Sequence, residues 1–120
     1  MKTLLLSAVS VAVCLLGSAQ AMTAEEDAKI QYLITRIETL GPEVKFVRNG
    51  TEYDAKKAAD HLRLKLKKAG DHVKTVDDFI ELCATKSSVS GKPYQLKFPD
   101  GTTTELAPYL RAQLKARPAP

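Results

Sequence analysis

Hydrophobic positions recur with a helical period in four stretches of the chain and alternate in a fifth. Between Thr23 and Leu40, Ile30, Leu33, Ile34 and Ile37 fall at i, i+3, i+4 and i+7, the pattern of an amphipathic helix with one buried stripe. Thr23 and Glu26 open it as a capping box, and Gly41-Pro42 ends it. Val44 to Val47 then reads as a short strand. Asn49-Gly50 is a two-residue hairpin signal, because both positions must take positive φ, and Thr51 to Tyr53 forms the return arm.

Asp54 caps a second helix with the inner stripe Ala55, Ala58, Ala59, Leu62, Leu66 and Ala69, which ends at Gly70 with Lys67 and Lys68 in its last turn. Thr75 and Asp78 open a third, whose apolar positions are Val76, Phe79, Ile80, Cys83 and Ala84. The polar run Ser87-Ser88-Val89-Ser90-Gly91 ends it. Tyr94, Leu96 and Phe98 alternate with Gln95 and Lys97, a strand with one buried face that turns at Pro99-Asp100-Gly101 into Thr102–Thr104. Leu106, Tyr109, Leu110 and Leu114 form a last helix, with Pro108 in the first turn, where a missing N–H costs little. The elements add up to an α+β domain of about four helices on a small, largely antiparallel sheet built from two hairpins.

Residues 1–21 stand apart from this pattern. Lys2, an apolar run from Leu4 to Gly17 and the small-residue site Ala19-Gln20-Ala21 read as a secretory signal cleaved before Met22. The apolar run is shorter than the ~18–20 residues a bilayer span needs, so no membrane span is expected after cleavage. Cleavage takes 21 residues and one lysine from a chain of 120 with 18 basic and 14 acidic side chains, leaving 99 residues and a net charge of +3. Residues 22–116 then form a single domain and 117–120 a disordered tail. Cys14 leaves with the signal, so Cys83 has no partner for an intramolecular disulfide and the fold must hold by packing.

Candidate chemistry is sparse. Cys83 lies on an apolar stripe, where cysteine is an inert small hydrophobe, and the separations of His61, His72 and Cys83 match no metal-ligand spacing, so neither a metal nor a cofactor is called for. Ser90-Gly91-Lys92 lacks the upstream glycine and strand-to-helix setting of a phosphate loop. The hydroxyls of Ser87, Ser88 and Ser90 read as a loop satisfying the carbonyls that end a helix. His61 flanks the stripe of its helix beside Leu62, so it needs a hydrogen-bond partner, which the serine loop or a hairpin would supply. Charge is concentrated from Asp54 to Lys68, with six basic residues against two acids. Lys56, Arg63 and Lys67 share the outer face there and form a candidate surface for an anionic partner. Nucleic acid is not expected, since tryptophan is absent and no aromatic residue interleaves with the basic face.

Phe46-Val47-Arg48-Asn49-Gly50 with Tyr53, then Ala58-Ala59-x-His61-Leu62-x-x-Lys65, then Phe79-Ile80 and Ser88-x-Ser90-Gly91-x-Pro93-Tyr94 together resemble an uncharacterised family of small exported bacterial proteins. The resemblance covers nearly the whole mature chain and implies a periplasmic setting, without an activity, substrate or cofactor. Its matching residues, Arg48, Tyr53, His61, Lys65, Ser88, Ser90 and Tyr94, are mostly polar and fall on the hairpin, one helix and one loop, which suggests convergence into one binding patch. The function expected is that of a non-catalytic periplasmic domain binding a protein or an anionic envelope component. The alternative is a small hydrolase with His61 as general base to a Ser88 or Ser90 hydroxyl.

Overall fold

The computed structural model describes residues 21–119. The leader expected over residues 1–21, with Cys14, lies outside the described residues except for Ala21. Four α-helices and four strands follow in the order α1 (Ala24–Glu38), β1 (Lys45–Arg48), β2 (Thr51–Tyr53), α2 (Ala55–Ala69), a 3-10 turn (Gly70–His72), α3 (Val76–Cys83), β3 (Gln95–Lys97), β4 (Thr103–Glu105) and α4 (Leu106–Lys115). The fold is therefore α+β, and its sheet is antiparallel throughout with the order β2-β1-β3-β4. The two hairpins meet through their first strands.

Register follows from which side chains are apolar. Phe46 stands opposite Tyr53 on one side and Leu96 on the other, so the three share the face that meets the helices. Lys45, Val47, Gln95 and Lys97 point the other way, and that outer face is polar, crossed by a Lys97–Glu52 ion pair at 3.1 Å. Beneath the inner face, the stripe Ile30, Leu33, Ile34 and Ile37 of α1 is fully buried against α2, α3 and α4. Ala58, Ala59 and Leu62 of α2 and Phe79, Ile80 and Cys83 of α3 complete the core. Leu66 and Ala69, expected on the same stripe of α2, are only partly buried and pack against the edge of the core in the last turns of that helix.

The caps largely follow the sequence, with one departure. Asp54 accepts from the Lys57 amide, and Thr75 and Asp78 form a reciprocal capping box on α3. Thr23 accepts from the Glu26 amide, but Glu26 does not reach back to close a box on α1. Its Oε1 instead accepts from the backbone N–H of Val76 at 2.8 Å, while Oε2 takes Lys29 Nζ at 3.1 Å. This carboxylate thus ties the start of α1 to the start of α3 across 50 residues of chain. Glu105 makes no side-chain cap on α4. The N–H of Leu106 donates to the carbonyl of Tyr94 at 2.8 Å, so that helix is anchored to the strand end before β3.

The segment between α3 and β3 is ordered by its own hydroxyls. The expected satisfaction of helix carbonyls falls to Thr85, whose Oγ1 donates to Ile80 O at 2.7 Å. Ser87, the single polar or charged residue that is buried among the described residues, works in the opposite sense: its Oγ accepts from the amides of Val89 and Ser90. Lys86 and Pro93 pair across the base of the loop, and Tyr94 N donates to Thr85 O. Past α4, Arg117 places its guanidinium 5.7 Å from the centre of the Tyr32 ring.

Candidate functional site

Three segments converge at the open side of α2. The first is the hairpin, whose Asn49 and Gly50 take φ of 54° and 79°, the left-handed pair that a tight two-residue turn requires. That turn keeps Phe46, Arg48 and Tyr53 on the inner face. The second is a helix face distinct from the buried stripe, on which Lys57, Asp60, His61, Leu64, Lys65 and Lys68 succeed one another at intervals of one or three residues. The third is the segment from Thr85 to Tyr94, which brings its buried tyrosine up beneath that face.

Within this convergence His61 Nε2 lies 3.0 Å from Tyr94 Oη, with the rings edge to face at 5.5 Å. Lys65 sits over the other part of the same tyrosine, its Nζ 5.6 Å from the ring centre, and donates to Ser88 Oγ at 2.9 Å. Arg48 makes a separate pair with Tyr53, lying 5.2 Å from the ring centre and donating to its hydroxyl at 3.3 Å. Phe46 joins the two groups, with ring centres 5.2 Å from Tyr94, 6.0 Å from His61 and 6.4 Å from Tyr53. Ser90 is held at the margin, where its hydroxyl bonds Asn49 Oδ1 at the hairpin tip.

The residues named from the sequence therefore form two clusters bridged by an aromatic ring. The partner of His61 is a phenol just past the serine loop, and both serine hydroxyls are engaged elsewhere. Among the described residues no carboxylate is hydrogen-bonded to His61. Its burial, and then the positive charges of Arg48, Lys65 and Lys68, lower its pKa to about 4. At neutral pH the imidazole is uncharged and contributes an aromatic surface.

Between the two clusters lies a cleft of about 270 Å³, walled by Phe46, Tyr53, His61 and Leu64 and rimmed by Arg48, Lys57 and Asp60. Four of these escaped the sequence reading: Phe46 enters it only as part of the first strand and of the resemblance motif, and Lys57, Asp60 and Leu64 belong to no candidate site. Leu64 carried the available signal. It is a leucine off the buried stripe, and it remains 49% exposed.

Charge pairing separates the cleft from the outer face of α2. There Arg63 bonds Glu38 at 2.7 Å and Asp60 at 3.2 Å, and Lys56 lies 3.8 Å from Asp60. Two of the three residues of the expected anionic-partner face, Lys56 and Arg63, are thus neutralised within the protein, and Lys67 alone is left without an acid. Glu38 has a lowered pKa because of its Arg63 hydrogen bond. Neither Arg48 nor Lys57 at the cleft forms an ion pair among the described residues. Elsewhere, burial raises the pKa of the fully buried Cys83, which makes its thiol a poor nucleophile. Among the described residues no group of three or more His, Cys, Asp or Glu is placed to hold a metal ion, and no helix is long and apolar enough to cross a membrane.

No solved structure matches the chain. A curated relative, the uncharacterised protein YfeK of Salmonella typhimurium, is 36% identical over 73 residues, which cover 61% of this chain and 60% of YfeK's own length. A sequence model for a family of unknown function, DUF5329, matches residues 24–117, which is the whole of the folded unit from α1 to the end of α4, and the chain belongs to that family.

Proposed function

We propose that this protein is an exported, non-catalytic binding domain of the bacterial envelope, and that the cleft beside α2 takes an anionic group of its partner. The observation that carries this reading is the contrast in charge pairing. Among the described residues Arg48 and Lys57 stand at the rim of an aromatic cleft without carboxylate partners, whereas the more conspicuous Arg63 is satisfied internally. An unpaired cation beside a partly dehydrated aromatic surface attracts an anion more strongly than one in open water, because screening is weaker there. Export rests on the leader pattern of residues 1–21. The hydrolase alternative gains no support from the hydrogen bonds: the His61 imidazole is bonded to a phenol, and among the described residues no carboxylate orients it.

The test is capture of envelope components by the full exported chain, cross-linked in its own host and compared with two double variants. Arg48→Gln with Lys57→Gln is expected to abolish capture, while Lys56→Gln with Lys67→Gln is expected to preserve it. Equal loss in both, or capture indifferent to ionic strength, would transfer the role away from the cleft.

A further inference from the structure

The charge and shape of the cleft narrow the chemistry of its ligand, given the reading of the cleft as an anion site. We propose that it binds a carboxylate borne directly beside one aromatic or branched apolar group, the chemistry found at the end of a polypeptide chain and in small aryl or acyl acids. Arg48 spends one guanidinium N–H on the Tyr53 hydroxyl and stacks on that ring, which fixes its plane and leaves its other donors free for the two oxygens of a carboxylate. Lys57 supplies a second positive charge to the lining. Asp60 also lies on the rim, so the site suits a single negative charge better than a doubly charged phosphate, even though Arg63 and Lys56 partly offset that acid.

The walls call for the apolar part. Phe46, Tyr53 and the uncharged imidazole of His61 present ring surface, and Leu64, an exposed leucine with no place in the core, adds aliphatic surface. A volume of about 270 Å³ suits one side chain and its carboxylate. Tyr53 and Lys57 also border a second depression, lined further by Glu52 of the edge strand β2, Asp54 just past its end and Lys45 of β1. Its polar lining matches the backbone amides of a chain leading into the cleft.

The experiment is amide-shift titration of the folded chain with named probes: N-acetyl-phenylalanine, its carboxamide, acetate, inorganic phosphate, and the peptide acetyl-Gly-Gly-Phe with a free or an amidated end. N-acetyl-phenylalanine is expected to shift residues 46, 53, 61 and 64, and its carboxamide to bind at least tenfold more weakly, as expected when a charge-assisted pair is lost. Arg48→Gln should reproduce that loss, Leu64→Ser should weaken binding by about fivefold through lost apolar contact, and Lys67→Gln should leave it unchanged. Tighter binding of the free-ended peptide than of N-acetyl-phenylalanine supports a chain terminus as the source, and the reverse order supports a small acid. Equal binding of the carboxamide, equal binding of acetate or phosphate, or no shift at these residues would overturn the assignment. If envelope capture still depends on Arg48 and Lys57 in that case, the anion-binding domain stands and only its carboxylate ligand is lost.

Discussion

Tyr94 and His61 hold each other in place across the boundary between α2 and the sheet: the phenol oxygen lies 3.0 Å from Nε2, and the imidazole meets the tyrosine ring edge-on. Tyr94 is 1% exposed, so its hydroxyl depends on this histidine for a partner that water cannot replace. Tyr94 also carries Lys65 on its ring and receives the first amide of α4 at its carbonyl. One residue thus couples α2, α4 and the serine loop.

This arrangement sets a pH dependence. The pKa of His61 falls from 6.5 to about 4 on folding, chiefly through burial and then through repulsion from Arg48, Lys65 and Lys68. The unfolded chain therefore binds more protons between those limits. Stability should be full above pH ~6.5 and fall as the pH drops toward 4. The size of the drop is ~1–3 kcal/mol, allowing for screening of a half-buried ring. Glu26, Glu38, Asp78 and Asp100 all have lowered pKa values, so their contributions are lost only at lower pH. Denaturant melts from pH 7.5 to 5 should show the decline, and His61→Gln should flatten it. A slope unchanged by that substitution would contradict a neutral His61.

Substitutions at Tyr94 should separate the hydrogen bond from packing. Tyr94→Phe keeps the ring against Phe46 and beneath Lys65 but removes the hydroxyl, and is expected to cost about 1 kcal/mol. Tyr94→Leu also loses ring contacts and leaves a gap among Phe46 and His61, with an expected cost of ~2–4 kcal/mol. Chemical denaturation of the two variants checks the order. Equal costs would mean that the hydroxyl carries the whole effect.

Glu26 provides a test of long-range capping. Its carboxylate accepts the Val76 amide at 2.8 Å, and that hydrogen bond, followed by the one from Lys29, holds its pKa below the usual carboxylate value. Glu26→Ala should cost ~1 kcal/mol, comparable to the loss of an N-cap, and Glu26→Gln, which retains an acceptor, should cost less. Hydrogen exchange at the Val76 amide gives the direct readout: faster exchange in Glu26→Ala, with the amides of α2 unaffected.

Most of the architecture was legible because each helix carries one clean apolar stripe, and Ile30 through Ile37 could face only a core. The hairpin was legible because Asn49-Gly50 specifies its turn geometry locally. Strand order was not, since three-residue strands such as Gln95–Lys97 carry too little pattern to name their neighbours. The pairing of Glu26 with Val76 was hidden for a related reason: a local motif, the capping box, offered a complete account of the same glutamate. The resemblance groups His61, Lys65, Tyr94 and Ser88 in one patch, while the residues alone offer the histidine the serine loop or a hairpin as partner. Its partner is instead the Tyr94 hydroxyl, hidden because the alternation of Tyr94, Leu96 and Phe98 accounts for that tyrosine as the buried face of a strand. The cleft itself depended on which cations remain unpaired, and for Arg63 that is settled by Glu38 of α1 reaching it across a tertiary contact while Asp60 joins it within α2.

The hairpin tip offers the sharpest separation of local from tertiary effects. Asn49 sits at φ 54°, and its side-chain oxygen also takes the hydroxyl of Ser90, fastening the serine loop to the hairpin. Asn49→Gly tolerates the backbone conformation freely but loses this fastening, and Ser90→Ala loses the fastening together with the acceptor that Ser90 Oγ offers the Lys92 amide at 3.2 Å, so each is expected to cost about 1 kcal/mol or less. Because both remove the bond between the two side chains, the double variant should cost little more than Ser90→Ala alone. Asn49→Ala adds a left-handed backbone penalty of ~1 kcal/mol to that loss and should be the most damaging of the three single changes. Double-mutant cycles from equilibrium unfolding decide the matter: strictly additive costs for Asn49→Gly and Ser90→Ala would show that the two side chains act independently, and that the loop is held instead by Lys65 and the buried Ser87.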